Sequence, residues 1–329
     1  MYLLKDKIKL THLILSGGGS HGSVQVGALR FLYLENMHKS ITHVACCSIG
    51  CFVAFMFVFK FSIEEMEDTI RDVIAYKDFT FIPKSRYLKL VSDYGLTDAT
   101  KVTDLLIKKI KRKYPDYDIE SLTFMDISKS FGINLYISAT NLNTEKNKMF
   151  SVEDTPNELI FSALHASICI PMLFKPIEIN GEYYIDGGLT NNFPINLFPN
   201  VPDENILGLA MCGELDKAND IDNVENCDKK VNFFFIIQQI LSIARNIIRK
   251  DVLLQYINRD CVLQFHDVPV KWFNYEITKD GLEIFKLTND EVNEMFIYGF
   301  NKTFTYMMKR EGIVDEKTPK LDDDIGEKI

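Results

Sequence analysis

Leu13-Ile14-Leu15 is an apolar run bounded by Ser16 and a cluster of glycines, which predicts a buried strand. After Gly22 the spacing turns helical: Val26, Leu29, Leu32 and Tyr33 share one face, which predicts a helix of roughly four turns. His43-Val44-Ala45 reads as a second short strand, and residues 49–59 are nearly all apolar, as in a buried helix. Helical patterns recur at 63–75, 99–113 and 157–166, and strand patterns at 133–140 and 207–211. Ile177-Glu178-Ile179 and Tyr183-Tyr184-Ile185 flank Asn180-Gly181, a strong short hairpin signal. Residues 78–97 have no clear periodicity and suit a cap over the candidate site described below.

The later part of the chain is read more coarsely. Residues 213–230 are polar and acidic, an exposed loop or linker after a core expected at 1–212. Helix signals return at 232–249 and 290–310, the latter opened by the capping box Thr288-x-x-Glu291. Residues 231–310 are expected to pack on the core, and the charged segment 311–329 reads as a disordered tail. Within 233–248, Phe233, Ile236, Ile237, Ile240, Ala244, Ile247 and Ile248 form one broad face. That face suits core packing, with an interfacial membrane helix as the alternative.

Composition narrows the class. The 329 residues are 47% hydrophobic, enough for a large core, and carry a net charge of −9. No basic stretch suits nucleic acid, and charge alone does not draw the chain to anionic membranes. The first seven residues lack the apolar core of a signal peptide, and no uncharged apolar run reaches the roughly 20 residues that span a bilayer. The seven cysteines show no CxxC spacing, so they read as reduced residues of a cytoplasmic protein, with no metal site. The histidines at 12, 38, 43, 165 and 266 share no spacing and read as core or surface residues.

Three segments carry candidate chemistry. Gly17-Gly18-Gly19-Ser20-His21-Gly22 lies between a strand and a helix. Such a turn points several backbone N–H groups at one spot and adds the positive end of the helix dipole, suiting a phosphate or a developing oxyanion. Gly17-x-Gly19-x-x-Gly22 also matches a dinucleotide fingerprint, which requires an acidic residue roughly 20 positions on, at the end of the second strand. Glu35 has the distance but falls near the end of the first helix, while the second strand runs into Cys46-Cys47-Ser48. Ser48 sits at a strand-to-helix junction before Ile49-Gly50, which resembles the nucleophile elbow G-x-S-x-G with Cys46 in place of its first glycine. Alone, Ser48 reads as a helix N-cap. The hairpin's second strand then runs into Asp186-Gly187-Gly188, which by itself is a common turn. Together the three supply anion-stabilising backbone, a nucleophile and a base, and read as a serine hydrolase with a Ser-Asp dyad.

On these residues the chain resembles the patatin-like phospholipase family. The resemblance rests on the stretch from Ser16 to Gly22, the Ser48 turn, and the block Ala166-Ser167-Ile168-Cys169-Ile170-Pro171 through Asp186-Gly187-Gly188 to Asn191-Asn192-Phe193-Pro194, and covers roughly residues 10–212. It implies a three-layer α/β/α fold with a mainly parallel central sheet, and hydrolysis of acyl esters of lipids or phospholipids with no cofactor and no catalytic histidine. A lipid substrate leaves peripheral membrane contact open for a protein that its cysteines place in the cytoplasm. Carried over, Ser48 is the nucleophile, Asp186 the base, and Gly17, Gly18, Gly19 and Gly22 the oxyanion loop. Cys46 and Gly50 support the elbow, and Gly187 and Gly188 follow the base. Two departures stand out: Cys46 replaces a glycine, and His21 stands where the family often has Lys or Arg. They keep open a catalytically impaired lipid- or acyl-binding protein on the same fold. A nucleotide-binding α/β protein is the other alternative.

Overall fold

The computed structural model describes residues 8–211, 256, 258–270 and 275–313. The acidic segment and helix expected between 213 and 249, Trp272, Phe273 and the tail beyond 313 lie outside the described residues.

The strands are β1 (His12–Leu15), β2 (His43–Cys47), β3 (Phe81–Pro83), β4 (Gly95–Thr97), β5 (Asn134–Asn141), β6 (Lys146–Ser151), β7 (Met172–Phe174), β8 (Ile177–Ile179), β9 (Glu182–Asp186), β10 (Ile206–Met211), β11 (Val262–Phe265), β12 (Tyr275–Ile277) and β13 (Gly281–Ile284). The helices are α1 (Gly22–Leu34), α2 (Ile49–Val58), α3 (Ile63–Ala75), α4 (Lys77–Thr80), α5 (Lys89–Ser92), α6 (Thr100–Lys113), α7 (Phe124–Phe131), α8 (Ile160–Ile168) and α9 (Asn289–Arg310).

Five strands in the order β11-β10-β1-β2-β5 run parallel, β9 and β6 pair antiparallel with β5, and β8 pairs antiparallel with β9. The expected α/β architecture with a mainly parallel sheet is therefore present, and β11 carries that sheet past residue 212. One feature of the pairing positions the site. β2 pairs with β5 up to Cys47↔Ser138, and β9 pairs with β5 from Asp186↔Ala139 onward. β6 overlaps both stretches of β5, so it holds the opposite edge. Hence β2 and β9 share one edge of β5, arriving from opposite directions and meeting end to end. The residue after β2 is Ser48 and the last residue of β9 is Asp186.

Helices cover the sheet through two cores. The larger joins Leu13, Leu15 and Val44 to α1, α2, α3, α6, α8 and α9, and the smaller joins Ile14 and Ala45 to Phe193, Ile195 and Phe198 on the opposite face. The alternation along β1 and β2 is that of strands covered on both sides. α1 is buried around most of its circumference, not on the single face its periodicity suggests, because α9 packs along it. Thr288 caps α9 as expected, its hydroxyl accepting from the Glu291 N–H while the Glu291 carboxylate accepts from the Thr288 N–H. Residues 78–97 form α4, β3, α5 and β4; β3 pairs with β13, and β4 with β7. No described helix is long and apolar enough to cross a membrane.

At the entry end of the sheet, His12 and His43 pair across β1 and β2 with their rings stacked at 4.3 Å and Phe198 edge-on to both. Burial, and then the neighbouring His43, pushes the His12 pKa down to about 4. Burial also lowers that of His43, against the nearby Glu153 carboxylate. A depressed histidine pKa means that the unfolded chain takes up its proton near 6.5 and the folded chain only near 4. Stability is thus full above the unfolded value and falls as pH drops towards the folded one. At about 1.4 kcal/mol per unit, His12 accounts for roughly 2–3 kcal/mol of that fall. Urea unfolding near neutrality and at about pH 5 should show the loss, and His12→Phe, which keeps an aromatic ring there, should reduce it.

Candidate active site

Ser48 occupies a sharp turn between β2 and α2, with φ 51° and ψ −126°. For a side chain other than glycine this conformation costs on the order of 1–3 kcal/mol and persists only where the surroundings enforce it. Three hydrogen bonds do so. The Ser48 N–H donates to Ser167 Oγ at 2.9 Å, the Cys51 N–H donates to the Ser48 carbonyl at 2.8 Å, and Ser48 Oγ donates to Asp186 Oδ2 at 2.5 Å. The turn also needs Gly50, since a β-carbon there would lie 2.5 Å from the Leu15 carbonyl oxygen and 2.7 Å from that of Ser16. The end of β1 therefore sits directly on the start of α2.

The Asn180-Gly181 hairpin delivers Asp186. Both turn residues have positive φ, 53° and 82°, as a type I′ turn requires. The other carboxylate oxygen, Oδ1, accepts from the Gly188 N–H at 2.6 Å, while Gly187 begins the turn against the Ser138 carbonyl. Ser48 and Asp186 are nearly buried, at 8% and 7% exposure.

The glycine loop divides its tasks in a way the sequence expectation did not separate. The Gly17 N–H donates to the Asn192 carbonyl at 3.1 Å, so it cannot also serve an oxyanion. Asn192 Nδ2 returns a bond to the Gly17 carbonyl at 3.2 Å, and a β-carbon on Gly17 would meet Asn192 Oδ1 at 2.4 Å and Ser48 Cβ at 3.1 Å. Gly17 is thus a spacer clamped beside the serine. Gly22 opens α1, and the space its missing side chain leaves is filled by Ile49. Among the described residues the N–H groups of Gly18 and Gly19 donate to no acceptor. Asn192 and Ser167, which hold the loop and the elbow, were part of the sequence motif without an assigned task; small polar residues carry no local sign of such contacts.

The two unusual positions have structural explanations. Cys46 lies inside β2, fully buried, with its thiol donating to the Tyr136 carbonyl at 3.4 Å. It packs beneath the elbow and does not line the cleft. His21 is also buried, and its Nε2–H donates to the Val270 carbonyl at 2.6 Å, tying the glycine loop to the segment after β11. Burial raises the thiol pKa values of Cys47, Cys51 and Cys169, and the Asp186 carboxylate raises them further, so these thiols stay protonated beside the serine.

A cleft with about 680 Å³ of empty space, part of it open to solvent, adjoins Ser48. Gly19 and Ser20 lie on one side, and Phe52, Ile70, Val73, Val102, Ile170, Phe174 and Phe285 make the rest of its wall apolar. The dinucleotide alternative finds no support: Glu35 is buried at the end of α1, and β2 ends in Cys46-Cys47 with no acidic residue.

A family model described as patatin-like phospholipase matches residues 13–199, more than half of the chain. An uncharacterised protein of Acanthamoeba polyphaga mimivirus is 28% identical over 275 residues, 82% of this chain and 88% of that protein. A protein of Invertebrate iridescent virus 6 named as a probable lipid hydrolase is 29% identical over 203 residues, 60% of this chain and 65% of that relative, just under two thirds of its length. Among solved structures, VipD from Legionella pneumophila superposes with a TM-score of 0.54 at 17% identity, covering 92% of this chain and 67% of that one, which is a likeness of fold.

Proposed function

Because the chain belongs to the patatin-like phospholipase family, we propose that it is a lipid acyl hydrolase with Ser48 as nucleophile and Asp186 as general base. The observation that carries the proposal is the 2.5 Å hydrogen bond between Ser48 Oγ and Asp186 Oδ2 at a strained elbow beside an apolar cleft. A serine hydroxyl is a weak nucleophile until a base takes its proton. As Oγ attacks the ester carbonyl, its proton passes to Asp186, and the carbonyl oxygen becomes an oxyanion. The Gly18 and Gly19 N–H groups and the N-terminus of α1 stabilise that charge, and losing one such donor typically costs about 100–1,000-fold in rate. Collapse of the intermediate expels the alcohol, which takes the proton back from Asp186 and leaves an acyl-serine. Asp186 then deprotonates a water that attacks the acyl-serine, and Ser48 leaves with that proton. The apolar cleft holds the acyl chain, and the protonated thiols nearby do not compete with the serine.

A fluorophosphonate probe and a fluorescent acyl ester test this directly. Wild type should turn over the ester and carry a single phosphonyl adduct on Ser48, with both insensitive to chelator. Labelling elsewhere, or a folded wild type that binds a fatty acid but neither labels nor turns over, would favour the impaired acyl-binding alternative. Asn192 adds a second expectation. Asn192→Ala removes the side-chain half of the clamp on Gly17, and small displacements of positioned groups cost up to about 100-fold. It should lower kcat by about 10–100-fold with KM and melting temperature little changed, as steady-state kinetics on a soluble ester will show.

A further inference from the structure

The three most exposed large apolar side chains among the described residues fall in one short stretch: Leu88 at 83%, Val91 at 82% and Tyr94 at 70%. They recur every third residue across α5 and its flanking residues, while the neighbouring Tyr87 and Leu90 pack against the core. The helix therefore has two apolar sides, one inward and one facing water. Isolated surface apolar residues are ordinary; a contiguous apolar face rimmed by polar groups marks an interaction site. Tyr183 on β9, 47% exposed, lies near Tyr94 and extends the patch with a second amphipathic ring, its hydroxyl beside the Glu178 carboxylate at the patch's far edge.

The rim is cationic. Residues 84–94 contain Lys84, Arg86 and Lys89 against one acid, Asp93, in a chain whose net charge is −9. Lys175 joins from the end of β7, its ammonium 3.0 Å from Asp93, and Lys89 stands 3.9 Å from the same carboxylate. The segment is anchored beside the cleft. The β4 residues that follow it pair with β7, Thr97 opposite the cleft residue Phe174, and the Arg86 guanidinium donates to Thr97 Oγ1 at 3.2 Å.

We infer that the α5 segment is a docking surface for an anionic phospholipid membrane, inserting Leu88, Val91 and Tyr94 while Lys84, Arg86 and Lys89 meet lipid phosphates. The inference rests on the lipid-hydrolase reading for its purpose, since a surface beside the cleft would bring the elbow to aggregated substrate. Apolar side chains with flanking cations and tyrosines are the composition that partitions into a headgroup layer. Charge complementarity selects this occupant over a second copy of the chain, because a two-fold contact through this face would set its lysines against themselves.

The test is vesicle flotation of the full chain carrying Ser48→Ala, so that vesicles stay intact, with phosphatidylcholine alone and with added phosphatidylserine. Binding should require phosphatidylserine and weaken with salt. Adding Leu88→Asp with Val91→Asp, or Lys84→Glu with Lys89→Glu, should weaken it by about tenfold or more. All four side chains are exposed, so melting temperatures should hold. With Ser48 intact, the same variants should cleave a soluble short-chain ester within about twofold of wild type. Unchanged vesicle binding in both pairs overturns the inference, as does a wild type that binds neither vesicle, or a dimer that Leu88→Asp dissociates. If patch-dependent binding holds but wild type cleaves no soluble ester, the docking surface stands and the hydrolase reading falls.

Discussion

Ser48→Ala is expected to reduce ester hydrolysis by at least about 10,000-fold, and Asp186→Asn by a similar order, without unfolding the protein. The alanine variant keeps the Ser48 N–H bond to Ser167, so the elbow remains supported while the nucleophilic oxygen is gone. The asparagine variant can still accept the Gly188 N–H, but an amide cannot take up the serine proton. Because the two side chains act in one proton transfer, the double variant should be no slower than the worse single one. Single-turnover kinetics with a soluble fluorescent ester, alongside melting curves, separate a chemical loss from a structural one. More than about 1% of wild-type turnover in a folded Ser48→Ala variant would remove Ser48 from the role.

What could be read from the sequence was local. The Asn180-Gly181 turn needs only two residues with positive φ, and α2 announces itself by ten successive positions with almost no polar group. The capping box of α9 is likewise contained in four residues. The elements that passed unread are short or weakly patterned. α7 has only 8 residues, and β6 opens with Lys146-Asn147-Lys148 on an edge of the sheet, where polar residues are tolerated. Among the described residues β11 lies about fifty residues past the preceding strand of the sheet, and only its pairing with β10 reveals it.

The candidate site shows the same division. Glycines, serine and aspartate stand out as residue types, so the parts were visible. Their meeting depends on β2 and β9 sharing an edge of β5, a register that no single segment encodes. Which glycines face a substrate was also hidden. Gly17 and Gly18 are indistinguishable in sequence, and only the Asn192 carbonyl, 175 residues away, occupies one N–H and leaves the other. The His21 bond to Val270 spans 249 residues and is equally invisible locally.

The second large effect is expected far from the elbow, where α1 crosses α9. A β-carbon on Gly27 would stand 2.1 Å from the Phe296 carbonyl oxygen, and one on Gly299 would stand 2.1 Å from that of Val24. The contacts are reciprocal, each glycine facing the backbone three residues before the other. Neither obstacle is a flexible side chain, so Gly27→Ala forces the two backbones apart by about 1 Å to restore van der Waals separation. That separation opens the contact made by Phe31, Met295, Phe296 and Phe300, all buried, where Phe31 and Phe300 meet edge to face at 6.2 Å. Alanine gains about 1 kcal/mol of helix propensity over glycine, against an overpacking penalty and lost burial that together reach several times that. The net loss should be about 2–4 kcal/mol for either glycine, read from denaturant unfolding. Once one alanine has separated the helices, the second has less left to disturb, so the double variant should cost less than the sum. α1 begins at the glycine loop, so its displacement should also weaken ester hydrolysis in the protein that remains folded. A Gly27→Ala protein within about 0.5 kcal/mol of wild type would mean that the crossing is looser than this packing requires.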